Sequence, residues 1–154
     1  MKPRTIVMTL VTCLIGLTLC FADNANMGSW KLNEGKSKLG PGMPKNTMVV
    51  YEAAGDSVKV TVDGVDAQGA PTHNEWTGKF AGKDYPLTGD PSADMRAYKK
   101  VNDHTLQLTN KKGGKATLTG RIAVSADGKT RTVTVSGTDS AGKKIKSTAV
   151  YDKQ

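Results

Sequence analysis

The stretch Gly28-Ser29-Trp30-Lys31-Leu32 and the ending Val150-Tyr151-Asp152-Lys153 decide the fold of this 154-residue chain. Each has the pattern of a short strand, and each carries one large aromatic side chain. Between them lie short alternating segments joined by turns rich in glycine and aspartate. A strand at each end of such a run of hairpins predicts one sheet that closes on itself, with the first strand beside the last.

The segments between the two ends alternate apolar and polar side chains with a period of two. Val58, Val60 and Val62 are separated by polar residues, and so are Leu106 and Leu108. This period marks strands that are buried on one face and wetted on the other. Ten candidate strands follow from it: residues 28–33, 46–54, 57–65, 72–80, 83–88, 94–101, 104–110, 115–125, 130–137 and 143–152. Their spacing predicts an all-β chain that forms a single antiparallel up-and-down β-barrel of about 8–10 strands.

The first 22 residues have the order of a secretory signal peptide. Lys2 and Arg4 give a positive start, and an apolar core then leads to small residues before a cut after Ala22. A membrane anchor is the alternative, but the apolar core is short for a bilayer, which needs about 20 residues. We therefore expect a cleaved signal peptide over residues 1–22 and one barrel domain over residues 23–154.

Both cysteines, Cys13 and Cys20, lie inside this leader. The mature chain is thus expected to contain no thiol and no disulfide, which favours a periplasmic or secreted bacterial location over an animal fluid. The residues before Cys20 resemble a bacterial lipoprotein box. Leu19 is too bulky beside the cut for that pattern, so lipid attachment at Cys20 is the disfavoured alternative.

The charge of the chain is basic, with a formal net charge of +8 that falls to +6 when Lys2 and Arg4 are removed with the leader. Such a surface favours anionic partners, including an anionic envelope surface. The alternative is solubility, because lysine pairs such as Lys99-Lys100 and Lys111-Lys112 occur at strand ends or turns. Nucleic-acid binding is not expected, since aromatic residues make up only 5% of the chain and most of them have buried patterns.

No pattern of catalytic residues occurs in the sequence. The motifs G-x-S-x-G and H-E-x-x-H, a phosphate loop and paired carboxylates are all missing. His73 and His104 are the only histidines, whereas a zinc site needs three or four convergent ligands. We therefore predict that the protein is not an enzyme, and we expect no catalytic residue, no cofactor and no bound metal.

The two ends of the mature chain resemble those of known barrel families. Gly28-Ser29-Trp30 is similar to the G-x-W opening of lipocalins, in which the tryptophan plugs the closed end of the barrel. The ending Val150-Tyr151-Asp152-Lys153 resembles the V-Y-E-K ending of intracellular fatty-acid-binding proteins. The whole mature chain also resembles small exported bacterial proteins that open G-x-W-K-L-N and end V-Y-D-K-Q. These resemblances imply a lipocalin-like, calycin-type β-barrel that binds a small ligand inside.

The fatty-acid-binding resemblance also implies a partial ligand clamp. In that family two arginines and a tyrosine hold the ligand carboxylate. Residues 114–121 are similar to the family's G-K-x-T-x-x-x-R, which makes Arg121 the first arginine and Tyr151 the tyrosine. The second arginine is replaced by Ala149, so a bidentate clamp is incomplete. Alternation along the strand also sets Arg121 on the face opposite the strand's apolar side chains.

The large side chains of the inner face are the candidate ligand contacts. Trp30 is interpreted first as a structural plug, and Trp76 and Phe80 as core residues that also form the wall of any pocket. The face of Met48 stays open, because Met48 and Tyr51 occupy opposite faces of one strand. The predicted ligand-binding residues are Trp30, Met48, Tyr51, Trp76, Phe80, Tyr98, Arg121 and Tyr151.

Two functions fit these sequence features. The first is an exported, non-enzymatic binding protein that holds a small hydrophobic or amphiphilic ligand inside the barrel. The second is an envelope interaction module with a filled barrel, which binds a protein or an anionic polymer through its basic surface. The packing of the barrel interior separates the two hypotheses.

Overall fold

The computed structural model describes residues 24–138 and 141–154, which form ten strands and one short 3-10 helix. The leader predicted over residues 1–22, with both cysteines, lies outside the described residues and stays a prediction. Each predicted strand forms, with ends that differ by no more than two residues. The strands are β1 (Gly28–Leu32), β2 (Lys45–Ala54), β3 (Ser57–Val65), β4 (Pro71–Gly78), β5 (Tyr85–Thr88), β6 (Met95–Asn102), β7 (Thr105–Lys112), β8 (Lys115–Val124), β9 (Thr130–Thr138) and β10 (Lys144–Lys153).

The ten strands form one closed antiparallel barrel. Every strand pairs with the next one along the chain, and β1 pairs with β10 to complete the ring. In that last pair, Trp30 lies opposite Lys153 and Leu32 lies opposite Tyr151. The predicted single up-and-down barrel is thus confirmed, at the upper end of the predicted strand number. Among the ten described strands, closure leaves no free sheet edge for pairing with another chain.

Alternation along each strand determines which side chains enter the barrel. On β3, Val58, Val60 and Val62 are buried, as the period of two predicts. On β2 the inner face carries Val49 and Tyr51, both buried. Met48 is half-buried and takes the outer face, next to a register shift in the β2–β3 pair. The sequence could not decide which face of β2 points into the barrel, and in the structure it is the face of Tyr51.

One end of the barrel is closed around Trp30, which is fully buried. The indole Nε1 of Trp30 donates a hydrogen bond to the carbonyl oxygen of Asn26 over 2.8 Å. From β10, the Lys153 ammonium lies 4.5 Å from the centre of a Trp30 ring and donates to the carbonyl oxygen of Met27. The segment before β1 and the end of β10 thus hold Trp30 between them, which suits the role of a plug.

The connection between β1 and β2 lies against β10. It contains the short helix Glu34–Lys36 and continues as a loop. The backbones of Lys38 and Thr148 exchange two hydrogen bonds of 2.7 and 2.9 Å, and the Gly40 amide donates to the Ser147 hydroxyl. In the described part of the chain, no helix is long and apolar enough to span a membrane.

Candidate functional site

Aromatic side chains from β2, β4, β6 and the segment that follows β4 meet in the barrel interior. The rings of Trp76 and Tyr98 lie 4.8 Å apart, edge to face, and those of Tyr51 and Tyr98 lie 6.1 Å apart in the same orientation. Phe80 stacks on Trp76 with ring centres 6.4 Å apart. Such pairs stabilise each other beyond the burial of their surface. The cluster unites four of the predicted binding residues in one packed layer.

A buried arginine lies beside this layer. Arg131, on β9, is only 3% exposed. Its guanidinium carbon lies 4.9 Å from the ring centre of Tyr51, 5.3 Å from that of Tyr151 and 6.0 Å from that of Trp30. We call these four side chains the Arg131 site; they come from β9, β2, β10 and β1. Cation–π contacts of this kind stabilise a desolvated cation by about 2 kcal/mol or more.

The hydrogen-bonding capacity of Arg131 is mostly unused. Its Nη2 donates to the Tyr51 hydroxyl over 2.5 Å, whereas Nε and Nη1 are buried and have no hydrogen-bond partner within the described residues. Among residues 24–138 and 141–154, no carboxylate lies within ion-pair distance of Arg131. A buried charge without a counter-charge costs free energy. The Arg131 site is therefore chemically suited to an anionic group.

The two tyrosines of the site do not supply that negative charge. Burial raises the pKa of the Tyr51 hydroxyl far above its ordinary value, and the opposing attraction of Arg131 is the smaller effect. Burial raises the pKa of Tyr151 in the same way, again against the pull of Arg131. Both phenols stay protonated at neutral pH, so the charge of Arg131 remains uncompensated by them.

A second buried arginine shows the opposite arrangement. Arg96, on β6, donates from Nε to Asn110 over 2.8 Å and from Nη1 to Asn74 over 3.3 Å. Its Nη2 lies 3.9 Å from a carboxylate oxygen of Asp90, in the loop between β5 and β6. Arg96 thus has partners and a counter-charge inside the protein. Its role is structural, because it ties that loop to the barrel interior.

The structure distributes the eight predicted binding residues over both faces of the barrel. Trp30, Tyr51 and Tyr151 belong to the Arg131 site, and the aromatic layer adds the other three inner residues. Met48 and Arg121 lie outside: Met48 is half-buried on the outer face of β2, and Arg121 is exposed on β8. The resemblance to fatty-acid-binding proteins pointed to Arg121, but alternation along β8 turns its side chain away from the interior.

The arginine that does enter the barrel, Arg131, was missed by sequence reasoning. The signal that could have found it is the parity of β9. Arg131 shares one face with Val133 and Val135, and Val135 is buried. A cation in register with core valines is an exception to the rule that charges stay at the surface, and such an exception marks a candidate site.

A separate groove of about 490 Å³ lies where β9 ends and where β8 and β10 begin. The pairing of β8 with β9 stops at Leu118 and Gly137, so the two strands separate there. The groove carries hydroxyl groups and two cations, Lys144 and Lys146, and Arg131 is not among its lining residues. Leu118, which packs against the core, also lines the groove, and the groove is distinct from the Arg131 site.

A histidine on the outer face of β4 is held between two carboxylates. The Nδ1 of His73 lies 2.6 Å from a carboxylate oxygen of Asp63, and its Nε2 lies 3.5 Å from one of Glu75. The hydrogen bond with Asp63 raises the pKa of His73 above its ordinary value of 6.5, and Glu75 adds to the effect. Within the described ranges, no group of three or more His, Cys, Asp or Glu side chains could hold a metal ion.

The raised pKa of His73 makes part of the stability dependent on pH. The histidine binds its proton more tightly in the folded than in the unfolded state, so its contribution is complete below about pH 6.5. That contribution disappears as the pH rises through the folded pKa. We expect His73→Gln to lower Tm at pH 5.5, and this loss to shrink as the pH rises through the folded pKa of His73.

An NMR titration of the imidazole protons gives the second measurement. Asp63→Asn is the matched variant, because it removes the partner that raises the pKa of His73 most. The pKa of His73 should then fall toward 6.5. A pKa of His73 at or below 6.5 in the parent protein would contradict this account.

No family model matches the chain, and no curated protein matches its sequence. Among solved structures, the chain is similar to a redesigned β-barrel, with a TM-score of 0.48 and 14% sequence identity over 88% of this chain and 97% of that one.

Proposed function

We propose that the chain is an exported, non-enzymatic binding protein that holds a small hydrophobic or amphiphilic ligand inside a lipocalin-like barrel. The observation that carries the proposal is the Arg131 guanidinium, buried among aromatic rings with Nε and Nη1 free of hydrogen-bond partners in the described chain. A ligand that brings its own polar group would satisfy those donors. The apolar and aromatic side chains of the inner face would contact the rest of it.

The leader predicted over residues 1–22 would direct this binding protein to the periplasm or out of the cell. The lipocalin-like ends of the mature chain support the same class of function. Binding of this kind makes and breaks no covalent bond. The ligand partitions from water or membrane into the barrel, and a few polar groups set its orientation.

Native mass spectrometry of the full-length gene product tests this function. The protein is expressed with its leader, extracted gently from the periplasm, and compared with the same protein after denaturation, solvent extraction and refolding. We expect an adduct of lipid size in the first sample and its loss in the second. Recovery of only the bare mass of the mature chain from the gentle extract would contradict a carrier function.

Two observations favour the second candidate, an envelope interaction module. The rings of Tyr51, Trp76 and Tyr98 pack on one another inside the barrel, and the groove beside β10 carries Lys144 and Lys146 on the outside. This function predicts a bare mass together with salt-sensitive binding of a polyanion such as dextran sulfate. The double substitution Lys144→Glu and Lys146→Glu would abolish that binding.

A further inference from the structure

We propose that the groove beside β8, β9 and β10 binds an anionic polysaccharide, held by the cations and hydroxyl groups on the outer face of these strands. The inference rests on the second candidate function, the envelope interaction module, and selects one class of polymer for it. It does not involve the barrel interior, so the carrier function stands or falls independently of it.

The last three strands carry a strong excess of positive charge. Together β8, β9 and β10 contain six lysines and arginines and one carboxylate, that of Asp152. Asp152 is already held by the Lys36 ammonium at 3.7 Å and by the Asn33 amide at 2.7 Å. A surface with such an imbalance attracts anions.

The cations on this face lack the partners that cations elsewhere on the barrel have. On β3 and β4, the Lys59 ammonium pairs with the Glu75 carboxylate over 2.8 Å. In the described part of the chain, no carboxylate lies within ion-pair distance of the exposed Arg121, Lys144 and Lys146. Their charges are therefore available to an anionic partner.

Hydroxyl groups lie between these cations. Because alternate residues of β9 face inward, its outer face is a row of five hydroxyl side chains, which we call the hydroxyl row: Thr130, Thr132, Thr134, Ser136 and Thr138. Ser136 lies between Thr119 of β8 and Lys146 of β10. On the same row, Thr134 lies opposite Arg121. Hydroxyl groups both donate and accept hydrogen bonds, so they can pair with the hydroxyl groups of a sugar as well as with anionic oxygens.

The lining of the groove favours a polysaccharide over other polyanions. The volume of about 490 Å³ lies within the range of about 300–1,000 Å³ for ligand sites. None of the ten described residues that line the groove is aromatic, whereas single-stranded nucleic acids are held by base stacking on aromatic rings and protein partners by aromatic or arginine anchors in desolvated pockets. A charged sugar polymer offers hydroxyl groups to the hydroxyl row and anionic groups to the lysines.

Four immobilised polymers test the inference on the protein extracted from the periplasm of cells that express the full-length gene. The polymers are dextran sulfate, uncharged dextran, poly-L-glutamate and single-stranded DNA, and biosensor titrations give the affinities. We expect dextran sulfate to bind at least tenfold more tightly than poly-L-glutamate or the DNA, and uncharged dextran not to bind. Raising the salt from about 50 mM to about 300 mM NaCl should weaken the binding of dextran sulfate at least tenfold, because the cations are exposed to solvent ions.

Three variants locate the contact. Lys146→Glu reverses a charge in the groove and should lose at least tenfold in affinity for dextran sulfate. Lys83→Glu makes the same change in net charge at an exposed lysine between β4 and β5, and it should lose less than twofold. Thr119→Val keeps the shape and charge of the groove but removes a hydroxyl group, so it should lose at least threefold.

The outcomes separate this inference from the functions proposed above. Equal losses for Lys146→Glu and Lys83→Glu would overturn the groove as the site. Equal or tighter binding of poly-L-glutamate or DNA, or an unchanged affinity of Thr119→Val, would overturn the choice of a polysaccharide and leave the interaction module standing. Absence of binding to all four polymers would overturn both the inference and the interaction module. The circular dichroism spectrum and Tm of each variant show that the barrel is folded.

Discussion

Trp30→Ala is expected to lower the free energy of unfolding by about 3–5 kcal/mol. Trp30 is fully buried, and its removal would leave a cavity at the closed end of the barrel. The substitution also leaves the carbonyl oxygen of Asn26 without its indole donor and the Lys153 ammonium without its ring. Three elements meet at this side chain, so the loss is expected to exceed that for any exposed position.

The matched variant for this prediction is Trp30→Phe. It keeps most of the ring and removes the Nε1 donor, so it should cost about 1–3 kcal/mol, the range for one unsatisfied buried polar group. Urea unfolding followed by far-ultraviolet circular dichroism measures both variants. If Trp30→Ala stayed within about 1 kcal/mol of the parent protein, well below the range for such a cavity, the closed end would not depend on this side chain.

Gly89→Ala is expected to lower the free energy of unfolding by about 3 kcal/mol or more, because it combines backbone strain with overpacking. Gly89 opens the loop between β5 and β6 with a φ of +83°, a conformation that disfavours any side chain. A Cβ there would lie 2.1 Å from the carbonyl oxygen of His73. Since that atom belongs to the backbone of β4, the strand itself would have to move.

Gly69→Ala is the control that separates conformation from contact. Gly69 has the same φ of +83°, but a Cβ there would have nothing within 4 Å. Its substitution should cost about 1–2 kcal/mol, the penalty of the left-handed conformation alone. Urea unfolding measures the difference between the two variants, which is the cost of the contact with β4. Equal losses would mean that the loop moves away from β4 at no cost.

The strands and their order could be predicted from the sequence because both follow from local patterns. The period of two places Val58, Val60 and Val62 on one face whatever lies around them. The face of β2 could not be predicted, because Met48 and Tyr51 are both large and apolar enough to be buried. The register shift in the β2–β3 pair, near Met48, depends on the neighbouring strand.

The candidate site was harder to predict, because its members are distant in the chain. Tyr51 and Arg131 are 80 residues apart, and only the closed ring brings them into contact. A short match to the motif of fatty-acid-binding proteins favoured Arg121, but the side chain of Arg121 faces outward. Arg131 lies next to a turn, where an exposed cation is the usual expectation. Its burial depends on partners from β1, β2 and β10 that no local pattern contains.

The pairing of β1 with β10 closes the barrel into a ring. In each of the remaining pairs, the two paired strands also follow one another along the chain. The backbone amide of Gln154 donates to the carbonyl oxygen of Ser29, so the end of β10 lies beside the start of β1. A peptide link could join the end of β10 to the start of β1, and the ring could be opened at another turn without changing a single strand pair. In this sense the order in which the strands occur is one of ten equivalent circular permutations, and the architecture prescribes the neighbours of each strand but not which strand comes first.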